Sequence, residues 1–249
     1  MEASLRRNVR VCSDADAVAQ TAARIFSSAA SVAIASRSRF SAALSGGSTP
    51  TLLYRTLGSS FRHRVDWQHV HLFWTDERCV PKEDTESNFR LVSEEMLSHI
   101  DIPGNNIHRI EGELTPEDAA MTYEADLRNH FGSEGMPRFD LIFLGVGEDG
   151  HTASLFPGSE ALSEIGRLAV PAYPQEGRTR RVTLTLPVLN NAALLIFLIT
   201  GKKKAAIARE LLSEEAAAAY PAGLLRPHNG RLIWLLDEDA ASDIDDDHY

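Results

Sequence analysis

The sequence has little cysteine and lacks any long apolar run. Its 249 residues include two cysteines, Cys12 and Cys79. They form neither a metal-ligand spacing nor a disulfide framework, so we expect reduced thiols. The start is basic, but no apolar signal core follows it, and no segment reaches the roughly 20 apolar residues of a membrane-spanning helix. We therefore expect a cytoplasmic protein with no membrane partner.

The sequence also lacks a strong charge outside its C-terminal end. The formal net charge is −10, but seven acids lie in DEDAASDIDDDHY, and the remainder carries only −3. A nearly neutral body and an acidic end give no attraction for phosphate backbones, which argues against a nucleic-acid partner. We expect residues 237–249 to be a disordered tail that follows a single catalytic domain over residues 1–236.

Several sequence motifs that identify active sites are absent. There is no eight-residue P-loop and no GxGxxG, which argues against nucleoside triphosphates and dinucleotides. There is no HExxH or CxxC, and His63, His69 and His71 are too scattered or strand-bound to form a recognisable site, so we expect no metal. No serine lies in a GxSxG elbow.

The apolar pattern predicts an α/β fold. Short apolar runs alternate with segments of helical period, as in a mainly parallel sheet flanked by helices in one Rossmann-like domain. The predicted strands are residues 40–44, 69–74, 140–146, 193–200 and 231–236, and the predicted helices are residues 14–35, 49–57, 87–100, 116–131 and 202–213. We expect residues 171–180, PAYPQEGRTR, to form a surface loop.

Four polar clusters directly follow predicted strands. They are SGGSTP, TDERCVP, GEDGHTASLFPG and GKKKA. Ligands of open α/β sheets bind outside the carboxyl ends of the strands, so these clusters predict one shared cleft. Each cluster taken alone would also suit an ordinary solvated turn.

The first and last clusters favour an anion. Gly46 and Gly47 allow close backbone approach, Ser48 or Thr49 can cap a helix, and that helix N-terminus favours a phosphate. Lysines in GKKKA stand at a predicted helix start, where the macrodipole disfavours cations unless an anion is bound.

The middle clusters carry candidate catalytic groups. Arg78 suits a phosphate, a carboxylate or a developing oxyanion, and Arg181 is a further cation. His151 is a candidate general base that activates water, and Asp149 or Asp76 could fix its tautomer. The candidate nucleophiles, which lack a recognisable activating motif, are Ser45, Ser48, Ser154 and Cys79.

Taken together and in order, the segments ALSGGSTP, WTDERCVP, ESNFRLV, GVGEDGHTASLFPG, RVTLTLPVLNNA and TGKKKA resemble the 6-phosphogluconolactonase family. The resemblance spans roughly residues 10–236. That family is similar in fold to glucosamine-6-phosphate deaminases, which are the main alternative. The deaminase pattern has a carboxylate five residues after the histidine, where this sequence has Phe156, and a tyrosine where it has Arg78. Both differences favour the lactonase.

The resemblance implies hydrolysis of 6-phospho-D-glucono-1,5-lactone in the oxidative pentose phosphate pathway, without a cofactor, by a monomer or weak homo-oligomer. It implies His151 as the base, with Asp76 and Arg78 assisting. It implies a phosphate on Gly46, Gly47 and Ser48 with Lys204 and Arg181, and Ser45, Asp149 and Gly150 as further binding residues. Lys204 is chosen by its spacing from the glycine, and Lys202 and Lys203 stay open. A non-catalytic sugar-phosphate sensor is a further alternative.

Overall fold

A computed structural model describes residues 8–174, 178–213 and 217–244. In chain order its strands are β1 (Asn8–Cys12), β2 (Phe40–Leu44), β3 (Val70–Trp74), β4 (Asp76–Arg78), β5 (Ile107–His108), β6 (Leu141–Leu144), β7 (Ala169–Ala172), β8 (Arg181–Leu184), β9 (Leu194–Ile199) and β10 (Arg231–Asp237). Its helices are α1 (Ala15–Arg37), α2 (Ser48–Gly58), α3 (Asn88–Glu95), α4 (Pro116–Phe131), α5 (Leu186–Asn190), α6 (Ala205–Leu212) and α7 (Glu238–Ala241).

Seven strands form one parallel sheet in the order β1-β10-β9-β6-β2-β3-β5. Every residue of β2 and β6 is buried, because the inner strands of such a sheet are covered on both faces. This burial explains why they appear in the sequence as continuous apolar runs. The predicted α/β class and the five predicted strands are confirmed, with ends that differ by up to two residues.

The order of the strands creates a switch point between β2 and β6. From β2 the chain continues through β3 to β5 at one edge, and it then returns to β6 and proceeds through β9 and β10 on the other side. The loops that follow β2 and β6 therefore leave the sheet in opposite directions. A crevice opens between them at the carboxyl edge, which is where such folds bind ligands.

A second, antiparallel sheet has the order β4-β8-β7, and α4 packs against β7 and β8. The expectation of a surface loop over residues 171–180 is wrong at its start, because Pro171 and Ala172 belong to β7. Residues 175–177 of that segment lie outside the described residues. The small sheet matters for function because β4 carries Asp76 and Arg78, and β8 begins at Arg181.

The expected disordered tail is wrong for residues 237–244. Asp237 ends β10 and caps α7, where its side chain accepts from the Ala240 N–H at 2.8 Å. Ala240, Ala241 and Ile244 are buried. These apolar residues lie among acidic residues in the sequence. Their burial keeps the segment folded despite its charge. Residues 245–249 lie outside the described residues.

Helix α1 is long and apolar enough to cross a bilayer by length and composition alone. It instead contacts β1, β2, β10 and α2, and its buried side chains, such as Phe26, belong to the main hydrophobic core. Asp14 caps its first turn by accepting from the Ala17 N–H at 2.7 Å. The helix is therefore a core element of the α/β layer.

Candidate active site

A cleft of about 230 Å³ lies at the carboxyl edge of the parallel sheet, beside the switch point. The four polar clusters all contribute to its lining, so the single shared cleft expected from the sequence is present. Among the residues that line it are Ser45, Gly46, Gly47, Ser48, Asp76, Arg78, Asn88, His151, Arg181, Thr200 and Lys204.

His151 lies in the turn that follows β6, with its side chain about one quarter exposed. Its Nδ1 contacts the Asp149 carboxylate, which also accepts from the His151 backbone N–H at 3.2 Å. The carboxylate therefore accepts from Nδ1–H, which leaves Nε2 as the unprotonated nitrogen of the neutral ring. The turn closes through a 2.8 Å bond from the Gly147 N–H to the His151 carbonyl.

Gly147 is required at its position by the imidazole. A Cβ atom there would lie 2.1 Å from His151 Nδ1 and 2.4 Å from Asp149 Oδ1. Any larger residue would displace the pair, since real Cβ atoms do not approach other atoms so closely.

Asp149 is held in its ionised form. Partial burial raises the pKa of its carboxyl, but the hydrogen bonds from the side chain and backbone of His151 outweigh that effect and lower the pKa below its usual range. A fixed negative charge thus lies next to Nδ1 and stabilises an imidazolium if the ring takes up a proton.

Asp76 has different partners from those expected. Its Oδ2 accepts from Ser154 Oγ at 2.6 Å and lies 3.8 Å from Arg181 Nη1, while Oδ1 accepts from Thr75. Among the described residues, the carboxylate that contacts the His151 ring is that of Asp149. Asp76 instead lies next to the Arg181 guanidinium.

Two guanidinium groups face the cleft from the small sheet. Arg78 Nη1 donates to the Glu86 carbonyl, and Arg181 lies over the Phe156 ring at 5.5 Å. The buried Nε of each has no partner among the described residues. Desolvation lowers the pKa of Arg181, partly offset by Asp76. Cations with spare donors at a cleft are suited to an anionic ligand.

The SGGSTP segment forms an open helix N-terminus. Gly47 precedes α2 with φ +113°, and no side chain caps the helix, so its first N–H groups are available to an anion. Gly46 packs so closely on Asn88 that a Cβ would lie 1.8 Å from Asn88 Oδ1. The buried hydroxyl of Ser45 has no partner within the described chain.

The GKKKA segment presents one lysine to the cleft. Lys204 lines it, whereas Lys202 and Lys203 are exposed and do not contribute to its lining. Residues 202–204 form a 3-10 turn before α6, so the predicted helix begins three residues late. Asp237 holds the turn by accepting from the Gly201 N–H at 2.9 Å.

Two predicted binding residues do not line the cleft. Asp149 contacts the His151 ring. Gly150 is buried against Tyr220, so closely that an added Cβ would lie 2.4 Å from the Tyr220 ring. Both support the histidine turn. The resemblance implied them as binding residues, but neighbouring residues in a tight turn face different sides.

Asn88 and Thr200 are site residues that sequence reasoning missed. Asn88 donates to the Asp76 carbonyl at 2.9 Å, and Thr200 pairs with Thr49 at 2.8 Å between their hydroxyl oxygens. The signal for Asn88 was its place at the start of α3, in the connection that follows TDERCVP. Glu77 of that cluster is structural, since it accepts from the Asn88 and Phe89 N–H groups at the start of α3.

Two candidate nucleophiles are poorly placed for attack. Ser154 is fully buried and donates to Asp76. Burial, together with the charge of Glu77, raises the pKa of the Cys79 thiol to about 11, so it is a thiol and not a thiolate at neutral pH. Ser45 and Ser48, the other two candidates, both line the cleft.

The parallel sheet carries a cleft at its switch point. This cleft combines an open helix N-terminus, three cations and a histidine bound to a carboxylate. Together these features define a class of α/β proteins with a site for a small phosphorylated ligand. The family model described as glucosamine-6-phosphate isomerases/6-phosphogluconolactonase matches residues 13–234. The chain belongs to this family.

Known relatives agree with that assignment. The chain is 41% identical over 216 residues to a 6-phosphogluconolactonase of Synechocystis, an alignment that covers 85% of this chain and 88% of the relative. It is similar in structure to 6-phosphogluconolactonase from Trypanosoma brucei, with a TM-score of 0.85, 28% identity, and coverage of 97% and 100% of the two chains. A monomeric glucosamine-6-phosphate deaminase has the same fold, with a TM-score of 0.79 at 23% identity over 95% and 99% of the chains.

Proposed function

We propose that this protein hydrolyses 6-phospho-D-glucono-1,5-lactone to 6-phospho-D-gluconate in the oxidative pentose phosphate pathway. The observation that carries the proposal is His151, held by the ionised Asp149 and opening on a cleft with three cations. Its relatives that are named 6-phosphogluconolactonase support the substrate. The expectations of a cytoplasmic location and a monomer or weak homo-oligomer stay predictions.

The phosphate would bind at the open start of α2. Backbone N–H groups of residues 46–48 and the helix dipole favour a dianion there, and Lys204 and Arg181 supply countercharge. With the phosphate at this end, the lactone ring would lie along the cleft toward His151.

His151 would act as general base and then as general acid. Its Nε2 takes a proton from water while the water oxygen bonds to the lactone carbonyl carbon. When the tetrahedral intermediate collapses, the bond between that carbon and the ring oxygen breaks, and the imidazolium returns the proton to the departing oxygen. Arg78 is placed to donate to the carbonyl oxygen as its charge develops. Asp76 would hold the Arg181 guanidinium in position, so that this cation faces the substrate.

Phe156 argues against deamination of glucosamine 6-phosphate. Its ring packs on the His151 ring at 4.7 Å between centroids and under the Arg181 guanidinium. The deaminase pattern has a carboxylate at this position, which is associated with opening the sugar ring. A phenyl ring cannot transfer protons, so the chemistry of this site favours a lactone substrate.

The first test is hydrolysis of freshly generated lactone, with formation of 6-phosphogluconate followed above the spontaneous background. The His151→Asn protein should lose about 10²–10⁴-fold in kcat, with unchanged affinity for 6-phosphogluconate by calorimetry. His228→Asn is the matched control, because His228 is exposed and does not line the cleft.

Each outcome has a distinct meaning. Full activity in His151→Asn would reject the base while keeping the substrate. If the native protein does not accelerate the reaction, the lactonase proposal is rejected. The next assay would then measure the release of ammonia from glucosamine 6-phosphate. Binding of sugar phosphates without turnover of either substrate would favour a non-catalytic sensor.

A further inference from the structure

Three histidines from distant parts of the sequence meet outside the cleft. His71 lies on β3, His108 on β5 and His130 near the end of α4. A ring nitrogen from each lies within 4.8 Å of the others, and all three side chains are partly buried. None of them lines the cleft of His151. The expectation of no metal rested on His63, His69 and His71 and on the absence of HExxH and CxxC, and it did not consider that pairing of β3 with β5 brings His71 and His108 together.

The hydrogen bonds in this histidine cluster fix the orientation of the rings. His108 Nδ1 lies 2.9 and 3.1 Å from the two Asp126 carboxylate oxygens, so this nitrogen carries the proton. His108 Nε2 is then an acceptor, and it lies 3.1 Å from His71 Nδ1. His130 Nε2 lies 2.8 Å from Ser41 Oγ. A histidine whose second nitrogen is bound to a carboxylate is the usual arrangement at protein metal sites.

We propose that His71, His108 and His130 bind a divalent transition metal, with zinc the best match, in a site separate from the proposed active site. Three imidazole nitrogens and one water would complete a tetrahedron. With bonds of about 2.0–2.1 Å, the ligand atoms of a tetrahedron lie roughly 3.3 Å apart. The His71–His108 pair, at 3.1 Å, is close to that separation, and the ring nitrogen of His130, which lies within 4.8 Å of the other two, would move closer on metal binding.

The neighbouring structure suits this occupant. A second cleft, of about 390 Å³, is lined by His108 and Asp126 but not by His71 or His130, so it reaches one side of the histidine cluster. Phe73 stacks on His108 with ring centroids 4.1 Å apart and supports the ring from one side. Imidazole ligands exclude Ca²⁺ and Mg²⁺, which prefer oxygen.

His71 and His130 are also held in the neutral state that a metal requires. Burial and the charges of neighbouring groups lower the pKa of His71 to about 4 and that of His130 to about 3. Zinc would replace the proton shared between His71 Nδ1 and His108 Nε2, and His71 would remain neutral by carrying its proton on Nε2.

The test is zinc binding to the chelator-treated full-length protein, measured by calorimetry, with Co²⁺ as a spectroscopic probe of tetrahedral geometry. One ion per chain is expected. His71→Gln and His130→Gln should abolish binding, and Asp126→Asn, which keeps all three rings, should weaken it about 10- to 100-fold. His99→Gln, at an exposed position, is the matched control, and circular dichroism verifies that each variant is folded.

The His151→Asn protein separates the two sites, because it should bind zinc as tightly as the native protein. Zinc binding that is lost in His151→Asn but kept in His71→Gln would overturn the proposal. So would the absence of micromolar binding to the native protein, which would leave the cluster a purely structural packing of aromatic rings. If a His→Gln variant fails to fold, unweakened binding by Asp126→Asn would still contradict the proposal.

Discussion

At the scale of single residues, the pairing of Asp149 with His151 depends on a turn in which the two residues are only two positions apart. The carboxylate is ionised because the histidine bonds offset its burial. In the proposed mechanism it holds the Nε2 lone pair toward the cleft and stabilises the imidazolium. The sequence indicated the histidine, but it could not decide between Asp149 and Asp76, since both adjoin strand ends.

Asp149→Asn should lower kcat on the order of 10²-fold, the cost of misplacing a catalytic group by about 1 Å. The amide can present its N–H₂ to Nδ1 and favour the wrong tautomer, as a carboxylate cannot. The product affinity should change little, since Asp149 does not line the cleft. Steady-state kinetics and calorimetry on purified protein measure both quantities.

Glu148→Gln provides the control for that substitution, because Glu148 is the exposed neighbour in the same turn. It removes the same charge without touching the ring. Equal losses in the two variants would mean that local charge, and not the hydrogen bond to Nδ1, sets the rate.

At the scale of elements, the start of α2 depends on the start of α3. Asn88, the first residue of α3, donates to the Asp76 carbonyl and leaves no room for a side chain on Gly46. Three segments that carry site residues are therefore locked to one another by a single amide. The sequence placed these segments at one edge but gave no sign of their mutual contact.

Gly46→Ala should weaken binding of 6-phosphogluconate and reduce the free energy of unfolding by about 1–3 kcal/mol, the usual cost of overpacking. Gly166→Ala is the control, because the nearest atom to its Cβ, a Glu164 carboxylate oxygen, is 3.5 Å away. Thermal unfolding and calorimetry provide the measurements. Unchanged binding in Gly46→Ala would show that the close contact with Asn88 does not shape the phosphate site.

The elements that could be predicted from sequence are those with a strong periodic signal. The helices over residues 14–35 and 116–131 and the five apolar strands are confirmed. Strand β4 reads Asp-Glu-Arg, β5 has two residues and β7 contains a proline. No local pattern identifies such strands, because they form through pairing with β3 or β8, which is a tertiary effect. The histidine cluster was missed for the same reason.

At the scale of the whole molecule, the C-terminal segment is joined to the ligand cleft. Asp237 accepts from the Gly201 N–H and caps α7, and α7 contacts β1, α6 and the 202–204 turn. Residues 237–244, which were expected to belong to a disordered tail, are therefore part of the folded structure around the cleft. The cleft's lysine is positioned partly by a residue that composition alone would assign to a tail.

A chain ended after Ile244 should keep native activity and thermal stability, whereas a chain ended after Leu236 should be much less stable, because it loses buried Ala240, Ala241 and Ile244. Asp237→Asn removes the helix cap but leaves the buried side chains in place. It should therefore raise KM and have only a small effect on the melting temperature. Equal stability of the two truncated chains, measured by thermal unfolding, would contradict this interpretation.

The place of β10 in the sheet has a consequence for how the protein is made. β10 lies between β1 and β9, so residues 8–12 pair with residues more than 200 positions further along the chain. Until residues 231–237 have been synthesised, β1 has no neighbour among the described strands, and the face of α1 that packs on β10 is uncovered. Contacts of such long sequence separation form slowly and leave apolar surface exposed meanwhile. The described parallel sheet is therefore completed only after β10 has been synthesised.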